Sequence, residues 1–463
     1  SLQGDMANDA IVAFDQATDG TYAGAMDGGG RLIKIGTGNL TLSGANTYSG
    51  GTTVSGGTLT GTSTSLQGDI TNNAVVVFDQ VFGGTYAGAM SGTGHLVKGG
   101  SGNLTLSGAN TYSGGTTVLD GSLTGTTSSL QGNIANGSAV FFDQATAGTY
   151  AGILSGAGNL VIANGDVTLT GANSYSGTTT VQGGATLRLG TGGSLGSTRL
   201  LDVNATGTFD LGGRTQTVGG LTGAGTVQLD AGGVLTVDQA INQTFSGVIS
   251  GDGSLIKAGS SNLTLTGANS YTGGTTVSAG TLTGTTTSLR GAITNNAAVV
   301  FEQSSDGTYA GVMSGSGTLT KTGSGNLTLT GANSYGGGTT VSGGTLTGTT
   351  TSLQGTITVV SGANLTFDQS TIGTYAGSLN GGGALTVSGG GAVMLTGTAS
   401  HSGGTMIAAG AILQIGNGGT TGWLAGNVVT NGTLSFYRSD DIVFAGDISG
   451  SGGVTLMGTA KVT

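Results

Sequence analysis

Few residues in this sequence have the types and spacing that chemistry needs. The 463-residue chain contains two histidines, His95 and His401, and no cysteine. A serine hydrolase needs a nucleophile, a base and an orienting acid that converge, and a zinc site needs clustered His or Cys ligands. Neither pattern occurs, so we predict no catalytic residue, no metal ligand and no cofactor. Both histidines fill repeat positions that hold other residues elsewhere, and we interpret them as drift at surface turns.

Acidic and basic residues recur at fixed spacing. Four of the five lysines occupy one repeat position, and an acid stands nineteen residues before each, which gives the pairs Asp15 and Lys34, Asp79 and Lys98, Asp238 and Lys257, and Glu302 and Lys321. A spacing near one coil of a stacked β structure predicts ion pairs between neighbouring strands. Exposed pairs of this kind contribute about 0–1 kcal/mol. We therefore favour a structural ion-pair ladder over a comb of ligand-binding charges.

Two further copies of the acid lack the lysine. Asp143 and Asp368 are followed nineteen residues later by Ile162 and Val387. Glycosidases need two carboxyl groups within about 10 Å. Acids from successive repeats would lie roughly 14 Å apart by strand spacing. The acids are therefore too far apart to act together.

Two regions depart from the repeat and could hold a ligand patch. Residues 185–220 contribute three of the six arginines, and residues 411–447 contain the one tryptophan, so the candidates are Arg188, Arg199, Arg214, Trp423, Tyr437 and Arg438. Aromatic and arginine side chains are common anchors of binding surfaces. Local packing is the favoured alternative for these residues. The acids of SDD (439–441) supply too few ligands for calcium, so we predict a solvated turn there.

Composition excludes several classes of partner. The chain has 100 Gly, no Pro, a net charge of −10 and eleven Lys plus Arg, so it offers no cationic stripe for nucleic acid. Apolar runs such as AVVVF (74–78) are far shorter than the roughly 20 residues of a membrane helix, and we expect no membrane insertion in this fragment. The opening residues SLQGDMANDA show no signal peptide. Without cysteine there is no disulfide framework.

Three landmarks fix a period of mostly 64 residues, with one wider gap around 185–240. SLQG or a variant begins at Ser1, Ser65, Ser129, Ser288 and Ser352. The motif T-Y/F-x-G places an aromatic ring at Tyr22, Tyr86, Tyr150, Phe245, Tyr309 and Tyr375. The motif N-x-Y/H provides Tyr48, Tyr112, Tyr175, Tyr271 and Tyr335, with His401 in a degenerate last copy. Ten of the eleven tyrosines thus occupy two repeat positions.

The pattern within each repeat is typical of short β-strands. Leu40 and Leu42 alternate with Thr41, which is the period of a half-buried strand, and Gly, Asn and Ser separate the segments. Propeller blades repeat at about 40–50 residues, whereas 64 divides into three coils of roughly 21. We therefore predict an all-β parallel β-helix, or β-solenoid, of about three coils per repeat. About 22 coils at 4.8 Å would form a rod on the order of 100 Å long.

We predict one β-helical fragment over residues 1–463. The approximate divisions are repeats at 1–64, 65–128 and 129–184, a divergent insert at 185–240, repeats at 241–287, 288–351 and 352–410, and a C-terminal β-helical segment at 411–463. Near-identical copies predict that each unit buries its apolar face against its neighbours.

The repeat resembles a known family. GSLIKAGSSNLTLTGANSYTGGT (253–275) and GTLTKTGSGNLTLTGANSYGGGT (317–339) closely resemble the passenger-associated repeat of bacterial autotransporters, and residues 412–453 resemble the family's flanking β-helical sequence. The resemblance implies a right-handed parallel β-helix on the surface of a Gram-negative cell, with repeats that support secretion and stepwise folding. It also implies a translocator β-barrel in the full-length protein, so we expect this chain to be a fragment of something longer.

The predicted function is a non-catalytic, adhesive cell-surface rod. Its expected partners are host or bacterial surface glycans or proteins, or further copies of itself in autoaggregation or biofilm. A carbohydrate- or ice-binding solenoid is the alternative, because Thr-x-Thr pairs such as Thr58/Thr60 and Thr345/Thr347 could line a flat face. An enzyme such as a polysaccharide lyase is the least favoured.

Overall fold

The computed structural model describes residues 2–463, so the landmark serine Ser1 lies outside the described residues. The chain divides into two compact units, one ending at Asp230 and the other running from Ala231 to Thr463. Each unit is built of short parallel strands, and the described residues contain no helix. The fold is therefore the predicted all-β parallel solenoid, and the described chain makes about 23 turns. The division of residues 1–463 into one domain with the repeat boundaries given above stays a prediction.

The first unit contains strands β1 to β29. In chain order they are Met6–Ala7, Ile11–Phe14, Gly20–Tyr22, Met26–Asp27, Arg31–Lys34, Asn39–Leu42, Thr52–Val54, Thr58–Gly61, Ile70–Asn72, Val75–Asp79, Gly84–Tyr86, Met90–Ser91, His95–Gly99, Asn103–Leu106, Thr116–Val118, Ser122–Gly125, Ile134–Asn136, Ala139–Asp143, Gly148–Tyr150, Leu154–Ser155, Asn159–Asn164, Asp166–Leu169, Thr178–Val181, Thr186–Leu189, Leu200–Val203, Thr208–Asp210, Thr215–Val218, Leu221–Gly223 and Thr226–Gln228.

The second unit contains strands β30 to β58. In chain order they are Val234–Asp238, Gln243–Phe245, Val248–Ser250, Ser254–Ala258, Asn262–Leu265, Thr275–Val277, Thr281–Gly284, Ile293–Asn295, Ala298–Glu302, Gly307–Tyr309, Met313–Ser314, Thr318–Thr322, Asn326–Leu329, Thr339–Val341, Thr345–Gly348, Ile357–Val359, Asn364–Asp368, Ile372–Tyr375, Leu379–Asn380, Ala384–Ser388, Ala392–Leu395, Thr398–Ala399, Thr405–Ile407, Ile412–Ile415, Trp423–Leu424, Val428–Thr430, Thr433–Tyr437, Ile448–Ser449 and Gly453–Met457.

The core of each unit is formed by every second strand residue. In β6, Leu40 and Leu42 are buried, while Asn39 and Thr41 are half-exposed on the outer face. Side chains alternate across a strand, so the period of two read from the sequence becomes an apolar interior and a polar, threonine-rich exterior. β-Branched Thr and Val suit both faces of such strands.

One 64-residue repeat takes more than three coils. Leu40, Leu59, Val76 and Leu96 follow one another up a single sheet, so three coils use 56 residues. The remaining eight residues carry the chain on to the next sheet, and Leu104, the repeat equivalent of Leu40, lies in a different sheet. The coil is therefore shorter than the predicted 21 residues, and each repeat places its equivalent residues one side further round the solenoid.

Glycines let neighbouring coils approach closely. A Cβ added to Gly88, of the T-Y-x-G motif, would lie 2.1 Å from the backbone oxygen of Gly68 in the coil before it. Gly68 itself has a φ of 63°, a conformation that glycine adopts without steric cost. The recurrent glycines at these two positions thus meet a steric requirement of the stack.

Candidate functional surfaces

The asparagine of the N-x-Y landmark is a buried latch between three coils. Asn333 accepts a hydrogen bond from the Met313 N–H at 2.7 Å and donates to the Ser352 oxygen at 2.8 Å. Those partners lie in the preceding and following coils. The same pair of bonds is made by Asn46, Asn110, Asn173 and Asn269. The side chain therefore satisfies backbone groups where no strand continues the ladder.

The hydroxyls of the two tyrosine positions also form hydrogen bonds within the stack. Tyr335 shares a hydrogen bond of 2.7 Å with the Thr339 hydroxyl, and four other copies repeat this contact. In the T-Y-x-G motif, the hydroxyl of Tyr86 donates a hydrogen bond to the backbone oxygen of Gly68 at 2.7 Å. Burial raises the pKa of Tyr335 to about 12, so both phenols are neutral below alkaline pH. The Tyr86 contact thus ties two consecutive coils together, whereas the Tyr335 contact braces a single coil from within.

The lysines do not form the predicted ion-pair ladder. Among residues 2–463, two side-chain ion pairs lie within 4.0 Å, Arg188–Asp210 and Arg438–Asp440. The pairs predicted for Lys34, Lys98, Lys257 and Lys321 with Asp15, Asp79, Asp238 and Glu302 are therefore wrong. Strand register explains the error, because each lysine pairs with the residue before the acid. Alternation then turns the acid outward and the lysine into the core.

Each buried lysine is held by backbone oxygens. The Lys98 ammonium donates to Gly99 at 2.7 Å, Gly100 at 2.7 Å and Asp120 at 3.0 Å, which uses all three of its protons. Burial lowers the pKa of Lys98, and the negative charges of Asp120 and Asp79 oppose that shift. The acids therefore act on the lysines at a distance, without a direct bond.

Neither histidine lies at a surface turn, which corrects the prediction. His95 begins β13 and is half-buried, with Nε2 at 2.8 Å from the Thr117 hydroxyl and Nδ1 at 2.9 Å from the Gly114 oxygen. His401 is only 2% exposed and occupies the tyrosine place of its landmark. No group of three or more His, Cys, Asp or Glu side chains that could hold a metal occurs within residues 2–463.

The arginines of 185–220 are only partly brought together. Arg188 on β24 pairs with the buried Asp210 on β26 at 2.8 Å, and its own side chain is 58% exposed. Arg214, in the turn after β26, donates to the Thr191 hydroxyl at 3.0 Å. Arg199 is exposed in the turn before β25, which belongs to a different sheet. Arg188 and Arg214 therefore lie on adjoining coils of one side, and Arg199 does not join them.

In the region 411–447, Arg438 is an internal anchor. Its buried guanidinium donates to the oxygens of Gly422 and Thr420 and pairs with Asp440 at 2.7 Å. Arg438 therefore holds the loop before β54 in place. The prediction that it contacts a ligand is corrected accordingly. The ring of Tyr437 lies against Gly418, and Trp423 is 41% exposed on β54. Of the three, Trp423 offers the most surface to a partner.

An exposed apolar corner in the first unit was missed by the sequence reading. Phe82 is 82% exposed, Leu119 63% and Val81 58%, and we call these three residues the corner patch. Gly102 lies beside Phe82 in the next coil, where an added Cβ would be 2.5 Å from the Phe82 oxygen, and Leu119 lies in the coil after that. Because glycine has no side chain, residue 102 cannot cover the Phe82 ring. The signal was present in the sequence, because the first residue of this pair, Val81 here, is Ala or Ser in all the other copies.

The second unit presents a neutral column of threonines. Five successive coils place a threonine at one outward position, namely Thr308, Thr328, Thr347, Thr366 and Thr386. Asparagines beside the column tie the hydroxyls together, since Thr347 donates to Asn326 at 2.8 Å. Coil spacing puts the hydroxyls about 4.8 Å apart. The column is a flat, uncharged, regularly spaced surface.

Known proteins share the repeat. The family model described as the passenger-associated transport repeat matches residues 32–60, 96–124, 153–189, 255–283, 319–347 and 385–415. A relative from Brucella suis biovar 1 (strain 1330), the "Adhesin BmaC autotransporter", is 33% identical over 186 residues, which cover 32% of this chain and 5% of the relative. The chain thus spans a small part of that relative's length, and no solved structure matches it. The chain therefore contains six passenger-associated transport repeats, each with the latch asparagine or its replacement.

Proposed function

We propose that this chain is part of the secreted passenger of a Gram-negative autotransporter and forms an adhesive, non-catalytic rod on the cell surface. Support comes from the six repeats and from the relative, whose name describes an adhesin and an autotransporter. The described residues offer no clustered metal ligands, and the buried polar landmarks are used in holding coils together. The exposed surfaces are therefore the working part of the molecule.

The latches carry the proposal that the repeats support secretion and stepwise folding. The latch bonds of Asn333 and Tyr86 reach only to the adjoining coils, 18 to 20 residues away. A chain that emerges from one end can therefore complete each coil on the one before it, as in quasi-one-dimensional repeat proteins. No distant segment has to arrive first.

Single-molecule refolding of the whole chain tests this directly. With handles at both ends, relaxation of the force should give a series of length changes, each no larger than one 64-residue repeat. A single all-or-none collapse of the full chain would contradict stepwise folding.

We further propose that adhesion includes contact between copies of the chain through the corner patch. Exposed aromatic and aliphatic side chains are the usual anchors of interfaces, and Phe82 is the most exposed large apolar side chain of the described residues. Beads coated with the chain should clump, and the double variant Phe82→Thr with Leu119→Ser should clump less. Thr18 and Ser55 hold these places in the first repeat, so the fold tolerates both residues.

The matched control is Thr347→Ser on the threonine column, which should leave clumping unchanged. Equal clumping by the double variant would exclude the corner patch. Binding of the same beads to cultured host cells, measured in parallel, separates self-association from adhesion to a receptor.

A glycan- or ice-binding role is the second candidate, favoured by the threonine column. Five hydroxyls on consecutive coils form a longer array than the isolated Thr-x-Thr pairs seen in the sequence. Inhibition of ice recrystallisation by the wild type, and its loss in a Thr347→Val variant, would support ice binding. A glycan array probed with the same two proteins addresses the carbohydrate alternative.

A further inference from the structure

We propose that His401 makes the coils around it open reversibly at mildly acidic pH. The N-x-Y position is a tyrosine in five copies and a histidine in this one. The substitution puts the one side-chain type that ordinarily titrates between pH 5 and 8 inside the core of the second unit. A neutral phenol cannot respond in that range.

The geometry leaves no place for a second proton. The His401 side chain is 2% exposed, and Nε2 lies 3.1 Å from the Thr405 hydroxyl, as the tyrosine oxygen does in the other copies. Nδ1 is buried and has no hydrogen-bond partner within the described residues. Neutral imidazole tolerates this, because the unpartnered nitrogen can be the acceptor. Protonation would create a charged ring with a buried Nδ1–H that has no hydrogen-bond acceptor of normal geometry, and the Gly404 backbone offsets only part of that cost.

The coil around His401 lacks one side-chain tie that the other copies have. Ala399 stands where they have the latch asparagine, and pairing of β51 with β48 and β54 takes its place. Thr430, one and a half coils later in the core, has a buried hydroxyl with no partner among the described residues. Local opening draws on the least stable part of a structure. Protonation therefore adds a second unpartnered polar group to this part of the core.

Charges on the adjoining coils do not offset the effect. Tyr375, buried on the coil before, is neutral in acid because burial raises its pKa. The charged groups on these coils are the exposed Asp368, Asp441, Asp447 and Lys461 and the Arg438–Asp440 pair. None of them shifts the pKa of His401, which burial lowers and a hydrogen bond at Gly404 partly restores.

The direction with pH follows from linkage. A pKa lowered in the folded state means that the unfolded coil binds the proton more readily, so stability is intact above the ordinary histidine pKa and falls below it. Between about pH 6.5 and the folded-state pKa, the opening equilibrium should grow about tenfold per pH unit. Below the folded-state pKa it should level off.

Trp423 provides a reporter, because it is the one tryptophan of the chain and β54 pairs with β51, two residues before His401. We expect acrylamide quenching of its fluorescence to rise between pH 7.5 and 4.5 and to return on neutralisation. The variant His401→Tyr, which installs the residue of the other five copies, should abolish the rise. The variant His95→Asn, with the residue found at position 159, should leave it unchanged.

Hydrogen exchange in the wild type tests the same idea without any variant. After correction for intrinsic rates, amides of 398–407 should lose protection as the pH falls, whereas those of 332–341, around Tyr335, should not. A rise that persists in His401→Tyr, or equal loss of protection in the two segments, would overturn the proposal. So would a flat quenching profile in the wild type down to pH 4.5.

Discussion

Replacement of Asn333 by alanine should break the stack at one defined place. Two backbone groups, the Met313 N–H and the Ser352 oxygen, would lose partners at 2.7 and 2.8 Å. All of these atoms are buried, so water cannot readily replace the amide. A buried polar group without a partner costs about 1–3 kcal/mol, and two of them give a loss of about 2–6 kcal/mol.

Native-state hydrogen exchange is the assay that locates this loss. A local change of about 2 kcal/mol or more corresponds to exchange roughly 30-fold faster, since about 1.4 kcal/mol is a factor of ten. The increase should be confined to the coils that contain Met313, Asn333 and Ser352, because solenoid repeats contact only their neighbours. Global denaturation would report only the average stability of the chain and would not locate the loss.

The matched control is Asn296→Ala in the same unit. Asn296 is exposed, and substitution of such a residue changes stability by less than about 0.5 kcal/mol. Equal exchange in the Asn333 and Asn296 variants would refute the latch, as would a uniform increase along the whole chain.

Three other changes have defined outcomes. Gly88→Ala should cost about 3 kcal/mol, measured by chemical denaturation, because its Cβ would lie 2.1 Å from the Gly68 oxygen, whereas Gly83→Ala meets nothing within 4 Å and should be neutral. Lys98→Met should lose about 2–4 kcal/mol in the same measurement, because three partly buried backbone oxygens lose their donor. Burial raises the pKa of Tyr335 to about 12. Its contribution to folding stability is therefore intact below about pH 10 and is lost progressively as the pH rises towards the folded-state pKa. Ultraviolet absorbance should show tyrosinate appearing together with unfolding.

The sequence was sufficient for the fold because the signals that define it are local. Alternation in NLTL segments, turn glycines and a fixed period are visible without structure. Coil length was less accessible, since 64 divides evenly into three coils of about 21 while the true register uses 17 to 20 residues per coil. Only the pairing of Leu40 with Leu59 and of Leu59 with Val76 reveals that a repeat overshoots three coils.

The roles of the polar landmarks could not be read from spacing. An acid nineteen residues before a lysine predicts an ion pair, yet a shift of one residue in register puts Asp79 outside and Lys98 inside. Sequence spacing gives the length of a coil to within about one residue, but side chains alternate between the two faces of a strand at every residue. An error of one residue therefore places a side chain on the wrong face. For the same reason His401 was assigned to a surface turn, although its alignment with Tyr335 already pointed to an inner position.

The overshoot has a consequence for adhesion. Because each repeat advances by three coils and one further side, its equivalent residues move to another sheet, as Leu40 and Leu104 do. Threonine-rich outer strands are thereby distributed over several sheets, and the column of the second unit ends where Met406 follows Thr386. What distinguishes one side from another is the irregular residues, such as the exposed Phe82 and Trp423. Specific binding and contact between copies should therefore both be sought first at these departures from the repeat.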